Sequence, residues 1–191
     1  VRIEVNGEHV IQDFCRNENL LNLFEKYNEY INIIKKYDAK KNNQTYKPYD
    51  NDDFGFRMAF KLEENIQNDD IIIQKNLLQN FTNLSKYYRY INRSEFTNPE
   101  YPFKCHLSIV KNSKTYSQSL KRSGVLSSNH HYEIEIELND DIQEDNISDV
   151  TKKLKILIKH VLSGLQETKY PISYKEIKTK LNEYIQLFNI E

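Results

Sequence analysis

Glu133, Glu135 and Glu137 occupy alternate positions in the run Tyr132-Glu133-Ile134-Glu135-Ile136-Glu137-Leu138. Residues two apart on a β-strand share a face and sit roughly 7 Å apart. The run therefore predicts a strand with three carboxylates on one face and Ile134, Ile136 and Leu138 on the other. Three like charges in line repel one another, and glutamate is a poor strand former. A hard divalent cation such as Mg²⁺ or Mn²⁺, which takes carboxylate oxygens, would reverse that penalty. Facing cations would do the same. Taken by itself, the run equally fits a surface strand with its glutamates in water.

Facing cations are present in the sequence. Between Lys86 and Arg122 there are eight basic residues (86, 89, 93, 104, 111, 114, 121 and 122) against two acids, Glu95 and Glu100. From Glu133 to Asp149 there are eight acids and no lysine or arginine. Such segregation suits a site that handles metal and polyphosphate together. The basic residues also fall at strand spacing: Arg89 and Arg93 share a face with Tyr87, Ile91 and Glu95, and Lys104 shares one with His106 and Ser108. On a solvated sheet each of these would be ordinary. His130 and His131 precede the acidic run, and His131 shares its face. Imidazole is a poor partner for Mg²⁺, so both read as loop or supporting residues. His9 and His160 read as surface residues. No serine or cysteine nucleophile arrangement is visible, and Cys15 and Cys105 lack zinc or redox spacing, as expected of buried thiols in a reducing compartment.

The elements that must carry these residues can be read from periodicity. The 191 residues carry a formal net charge of -1 and are 38% apolar, with 14 Tyr and 9 Phe. That suits one folded α+β domain, with or without a helical appendage, and excludes a globally basic nucleic-acid binder. No signal peptide or membrane-spanning run is present. The chain opens at Val1 directly into a strand-like segment, Val1 to Val5, and is expected to be a piece of something longer. Helical turns are expected over Val10 to Phe24, and Tyr27 to Tyr37 fits helix or strand. Asp38 to Asp53 reads as a loop and Phe54 to Leu62 as a strand. Tyr87 to Phe96, Phe103 to Lys111 and Tyr132 to Leu138 alternate as strands. After an acidic loop, Ile147, Val150, Leu154, Leu157, Ile158, Val161, Leu162 and Leu165 form one stripe of a helix. A second helix follows Pro171, with Ser173 and Glu176 as a capping box. The expected division is 1–145 for the strand-rich part and its covering helices and 146–191 for the C-terminal helices.

Several blocks, in order, resemble the RNA 5′-triphosphatase modules of large DNA virus mRNA capping enzymes, which belong to the triphosphate tunnel metalloenzymes. They are Phe56-Arg57-Met58-Ala59-Phe60-Lys61, Tyr88-Arg89-Tyr90-Ile91-Asn92-Arg93, Tyr101 to Lys111, and Tyr132 to Leu138. Leu162 to Ser173 resembles the helix and turn leading toward the guanylyltransferase domain in such enzymes. The resemblance implies an antiparallel eight-stranded β-barrel with flanking helices, whose charged strand faces line a tunnel. It implies a metal-dependent RNA triphosphatase that removes the γ-phosphate of nascent mRNA with Mg²⁺ or Mn²⁺. Glu133 and Glu135 would hold the metal, and Glu137 would orient its ligand shell or the water. Arg57, Lys61, Arg89, Arg93 and Lys104 would clamp the triphosphate beside His106 and Ser108. The implied partners are triphosphate-ended RNA and the guanylyltransferase and methyltransferase domains of a capping enzyme, with no membrane. The implied setting is a virion or the cytoplasm of an infected cell.

The chain departs from that family in three places. Relatives carry a second Glu-x-Glu pair on the first tunnel strand, whereas Arg2-Ile3-Glu4-Val5 offers one glutamate. The expectation is that the first tunnel strand lies upstream or has been lost. Ile91 stands where a lysine is common, and His106 where many relatives have aspartate. Two other readings stay open: a non-catalytic module that binds triphosphate, RNA or a partner capping domain, and a hydrolase acting on tripolyphosphate or free nucleotides.

Overall fold

The computed structural model describes residues 1–41, 44–66, 71–139 and 147–188. In chain order the elements are β1 (Arg2–Val5), α1 (Glu8–Asn17), α2 (Leu20–Tyr27), β2 (Ile31–Asp38), β3 (Lys40–Lys41), β4 (Gln44–Thr45), β5 (Tyr49–Asn51) and β6 (Phe56–Met58). Then follow β7 (Lys61–Asn65), α3 (Ile71–Asn80), β8 (Arg89–Thr97), β9 (Phe103–Asn112), α4 (Leu120–Ser123), β10 (His130–Leu138), α5 (Ile147–Gln166) and α6 (Tyr174–Phe188). The acidic loop expected before α5 falls, at residues 140–146, outside the described residues. The chain divides into two compact units. The first comprises Val1–Ala39, Lys61–Glu95 and Cys105–Glu135, and the second Lys40–Phe60, Phe96–Lys104 and Ile136–Glu191.

The first unit is organised by a small apolar core. Val10 and Phe14, one turn apart on α1, meet Leu20 and Leu23 of α2, Ile31 of β2, Leu78 of α3 and Phe81. The turn between α1 and α2 is set locally. Glu18 adopts a left-handed conformation, with φ of 47°, and returns its N–H to Phe14 O at 2.8 Å. Asn19 then caps α2 by accepting from Asn22 N at 3.1 Å. Gly7 precedes α1 with φ of 83°, and a Cβ there would lie 3.2 Å from the Tyr30 ring. The segment Tyr27 to Tyr37 resolves into a short 3₁₀ turn at Asn28–Tyr30 followed by β2. On β2, Ile31 and Ile33 are buried and pair with Val5 and Ile3 of β1.

The eight-stranded barrel is not what forms. The described strands fall into two three-stranded sheets, in order β1-β2-β7 and β10-β9-β8, and two two-stranded hairpins, β3-β4 and β5-β6. A barrel requires every strand to have a neighbour on both sides. Here β1, β7, β8 and β10 are sheet edges, and no closed barrel exists among the described residues. The single strand expected from Phe54 to Leu62 explains much of the difference. It breaks at Ala59-Phe60, so β6 pairs with β5 while β7 pairs with β2. The expected loop from Asp38 to Asp53 therefore holds three short strands. Local hairpin pairing closes a short loop, and that costs less chain entropy than joining distant strands into a ring.

In the second unit, α5 and α6 form where the periodicity predicts them. Ser173 Oγ accepts from Glu176 N at 3.2 Å, the expected cap of α6. The turn between the helices is clasped by Gln166, whose side chain both donates to Ile172 O and accepts from Ile172 N at 2.8 Å. The start of α6 is tied to the β5–β6 hairpin by Tyr174 N donating to Asp53 O at 2.7 Å. Gly55, with φ of 67°, lies against the same tyrosine, and a Cβ there would meet Tyr174 Cε2 at 2.9 Å. Among the described residues no helix is long and apolar enough to cross a membrane.

Candidate functional site

Within the first unit, β8, β9 and β10 gather one charged face. Arg93 Nε donates to Ser108 Oγ at 3.2 Å, and His106 Nε2 lies 2.9 Å from Glu95 Oε2. The partner number on β9 falls as that on β8 rises, which is antiparallel pairing. On the other side of β9, Asn112 contacts His131 at 3.1 Å. Arg89 Nη2 donates to Glu133 Oε2 at 2.7 Å, and Arg93 Nη2 donates to Glu135 Oε2 at 2.5 Å. His131 Nε2 lies 3.1 Å from the other oxygen of Glu133. The result is a ladder in which arginines of β8 reach across β9 to glutamates of β10.

The burial pattern follows from this ladder. Ser108 and His106 are only 0% and 4% exposed, because the long arginine and glutamate side chains cover them. On the opposite face, Leu107 and Ile109 are 44% and 41% exposed. In the middle of β9 the polar side chains are thus covered and the apolar ones open, although Phe103 at its start is buried. The arginine–glutamate pairs are themselves partly in water, at 39%/27% and 36%/39% side-chain exposure, so each contributes at most about 1 kcal/mol to stability. They are weak enough to be exchanged for other partners.

The ten residues singled out from the sequence are not all assembled here. Arg89, Arg93, His106, Ser108, Glu133 and Glu135 come together in the first unit. Lys61 is also in that unit but lies on the other sheet, 3.6 Å from Asp38. Arg57, Lys104 and Glu137 belong to the second unit. There Arg57 forms a two-pronged pair with Asp50 at 2.5 and 3.0 Å, which lowers the Asp50 pKa and raises that of Arg57. Glu4, the lone acid of β1, pairs with Arg2 at 2.9 Å.

Two contacts were not visible in the sequence. The Glu95–His106 pair joins an acid and a histidine eleven residues apart, and only the β8–β9 register brings them together. The same register places Ser113 beside Tyr88: Ser113 Oγ accepts from Tyr88 N at 2.8 Å and donates to Tyr88 O at 3.0 Å. Burial raises the pKa of the Tyr88 hydroxyl, with Glu18 adding to it, and burial raises that of the Cys105 thiol. Lys86 is committed. Its ammonium donates to Phe81 O and Leu84 O at 2.5 and 2.9 Å and sits 4.2 Å from the centre of the Phe81 ring. Burial pulls its pKa down, with Glu18 opposing.

The donor chemistry of the ladder fits a hard divalent cation in part. A ring nitrogen of His106 lies within 4.8 Å of a Glu135 oxygen, whereas Glu133, held by Arg89 and His131, stands outside that cluster. Carboxylates suit Mg²⁺ and Mn²⁺, whereas the histidine does not suit Mg²⁺ and is better placed as the partner of Glu95. Each carboxylate is held by a guanidinium, so a cation must share or displace an arginine. No family model, curated protein or solved structure matches the chain.

Proposed function

We propose that the charged face of β8, β9 and β10 binds a divalent cation together with a triphosphate end of RNA and removes its γ-phosphate. The observation that carries this is the arginine–glutamate ladder. Arg89 and Arg93 hold Glu133 and Glu135 in exposed, exchangeable pairs. A metal–polyphosphate ligand matches both halves of such pairs: phosphate oxygens suit the planar guanidinium fork, and a cation suits the carboxylates.

Glu133 and Glu135 would hold the cation, which when bound supplies Lewis-acid polarisation of a phosphoryl oxygen. The chain's own residues do the rest. Arg89 and Arg93 turn from their glutamates to phosphate oxygens and neutralise charge that builds as the bond to the leaving oxygen breaks. Ser108, fixed beneath Arg93, keeps that guanidinium from swinging away from the sheet. His106, buried and bonded to Glu95, fixes the side chains under the ladder. Water attacks the γ-phosphorus, the bond to the β–γ bridging oxygen breaks, and diphosphate-ended RNA and inorganic phosphate leave. The product is the acceptor a guanylyltransferase domain requires, which is why capping domains are the partners proposed.

A second reading has its own support. Both carboxylates are already satisfied by arginine, as suits a module that binds triphosphate or RNA without hydrolysing it. Measurement of phosphate release from triphosphate-ended RNA with Mg²⁺ or Mn²⁺ separates the two. The catalytic reading expects metal-dependent release that falls roughly 10²–10³-fold in Glu133→Gln and in Glu135→Gln. Retention of full turnover in both variants would overturn the assignment. Binding without release by the unaltered chain would favour the non-catalytic module.

A further inference from the structure

An exposed aromatic pair stands on the approach to Arg89. Tyr87 and Tyr116 are 46% and 72% exposed, with ring centres 5.6 Å apart and planes tilted by 53°. Their backbone is rigid. Lys86 and Ser117 exchange two backbone hydrogen bonds of 2.8 Å, and Ser113 ties down Tyr88 as described. The backbone next to each ring is therefore hydrogen-bonded before any ligand arrives, so less chain has to be ordered on binding.

The surroundings select the ligand. Tyr87 lies two residues before Arg89, where β8 begins, and next to Tyr88, which is bonded to Ser113 in the β8–β9 register. Tyr116 sits in a stretch, 105–122, that holds Lys111, Lys114, Lys121 and Arg122 and no acid. Lys114, Lys121 and Arg122 are exposed, whereas Lys111 donates to Leu126 O at 2.9 Å. Glu18 is the acid at this segment, and its carboxylate is taken up by Leu120 N at 2.8 Å and Lys121 N at 3.4 Å. Exposed aromatic rings beside exposed cations are the pattern that stacks bases and attracts a phosphate backbone. The rings of a duplex are already stacked, so the pattern fits an unpaired strand.

We infer that Tyr87 and Tyr116 form a base-stacking platform for the first nucleotides of a single-stranded RNA whose 5′ phosphates lie at Arg89 and Arg93. This rests on the proposed phosphate site for its polarity: the 5′ end points along β8 toward Arg93, and the strand leaves past Tyr116. It makes the site one for a polynucleotide end rather than for tripolyphosphate, which has no base to stack. It also implies little sequence preference, since every base has a π-face.

The test is fluorescence anisotropy with a 3′-labelled single-stranded RNA 10-mer, bearing either a 5′-triphosphate or a 5′-hydroxyl. Inorganic tripolyphosphate affinity is measured in parallel by calorimetry, and circular dichroism confirms that each variant is folded. Tyr87→Ala and Tyr116→Ala are expected to weaken both RNAs roughly 5- to 100-fold while leaving tripolyphosphate affinity within about twofold. Tyr116→Phe, which keeps the ring and loses the hydroxyl, is expected to retain most of the affinity. Equal RNA binding by the alanine variants would overturn the platform, as would parallel loss of RNA and tripolyphosphate. If the unaltered chain binds RNA but releases no phosphate, the hydrolytic reading fails while the alanine variants still decide the platform.

Discussion

The guanidinium of Arg93 lies 2.5 Å from the carboxylate of Glu135, on a strand that is not its neighbour. A pair that reaches across β9 leaves space beneath it for Ser108 and His106 and stays open to solvent above. That geometry stores positive and negative charge in one place without burying either. The first prediction follows from it. Arg93→Lys should weaken tripolyphosphate binding about tenfold or more, because an ammonium cannot reproduce a fork that keeps Ser108 while its other nitrogens leave Glu135 for a phosphate. Isothermal titration of tripolyphosphate checks this, and Arg16→Lys in the exposed last turn of α1 serves as the control with no expected change.

The second prediction concerns acid behaviour in the other unit. Hydrogen bonding and charge attraction from Arg57 hold the Asp50 carboxyl below its ordinary pKa. A lowered folded-state value contributes stability that is fully present above the unfolded pKa and is lost as pH falls through the folded one. Carbon-detected NMR titration of Asp50 should give a midpoint below the ordinary carboxylate value, and Arg57→Ala should move that midpoint up. An unmoved midpoint would mean that the pair is not formed in solution.

The strand alternation of β8, β9 and β10, the stripe of α5 and the Ser173–Glu176 cap were legible because each is local, set by residues within a few positions of one another. Partnership between strands was not. Nothing near Ala59-Phe60 announces that β6 turns to β5 while β7 goes to β2, since both halves alternate well enough to be one strand. The barrel expected from family resemblance needed that strand to be continuous. The charged face fared better, because segregation of arginine and glutamate survives any pairing that brings β8 and β10 to opposite sides of β9. Arg57 and Lys61, four residues apart, were expected to act together and are separated by the break. α3 carried no usable sequence signal, and Tyr27 to Tyr37 mixes apolar and polar residues at both periods.

A third prediction addresses the joint between the β5–β6 hairpin and α6. Gly55→Ala should destabilise the protein by about 1–2 kcal/mol from the left-handed backbone alone. The added methyl also meets Tyr174, so Gly55→Ala combined with Tyr174→Ala should lose less than the sum of the two single changes. Thermal or urea unfolding of the three variants provides the comparison.

A fourth prediction tests the core that supports the first unit. Leu20 is 1% exposed and fixed by the Asn19 cap, so Leu20→Ala should cost about 2–5 kcal/mol. Asn19→Ala should cost about 0.5–2 kcal/mol through the lost bond to Asn22 N. Urea midpoints measured at constant m-value would confirm that both act on stability rather than on the unfolded chain.

On the proposed reading, one face exchanges its internal arginine–glutamate pairs for a cation and a polyphosphate at the same time. Binding of either ligand frees half of each pair for the other, so the two affinities must be linked and the linkage reciprocal. The direct measurement is calorimetric titration of tripolyphosphate with and without saturating Mn²⁺, and of Mn²⁺ with and without tripolyphosphate. Values are corrected for the complex the two form in buffer. The account predicts that each raises the protein's affinity for the other by the same factor, about tenfold or more, and that Glu135→Gln and Arg93→Ala each abolish the coupling. Independent binding, or coupling that survives both substitutions, would contradict it.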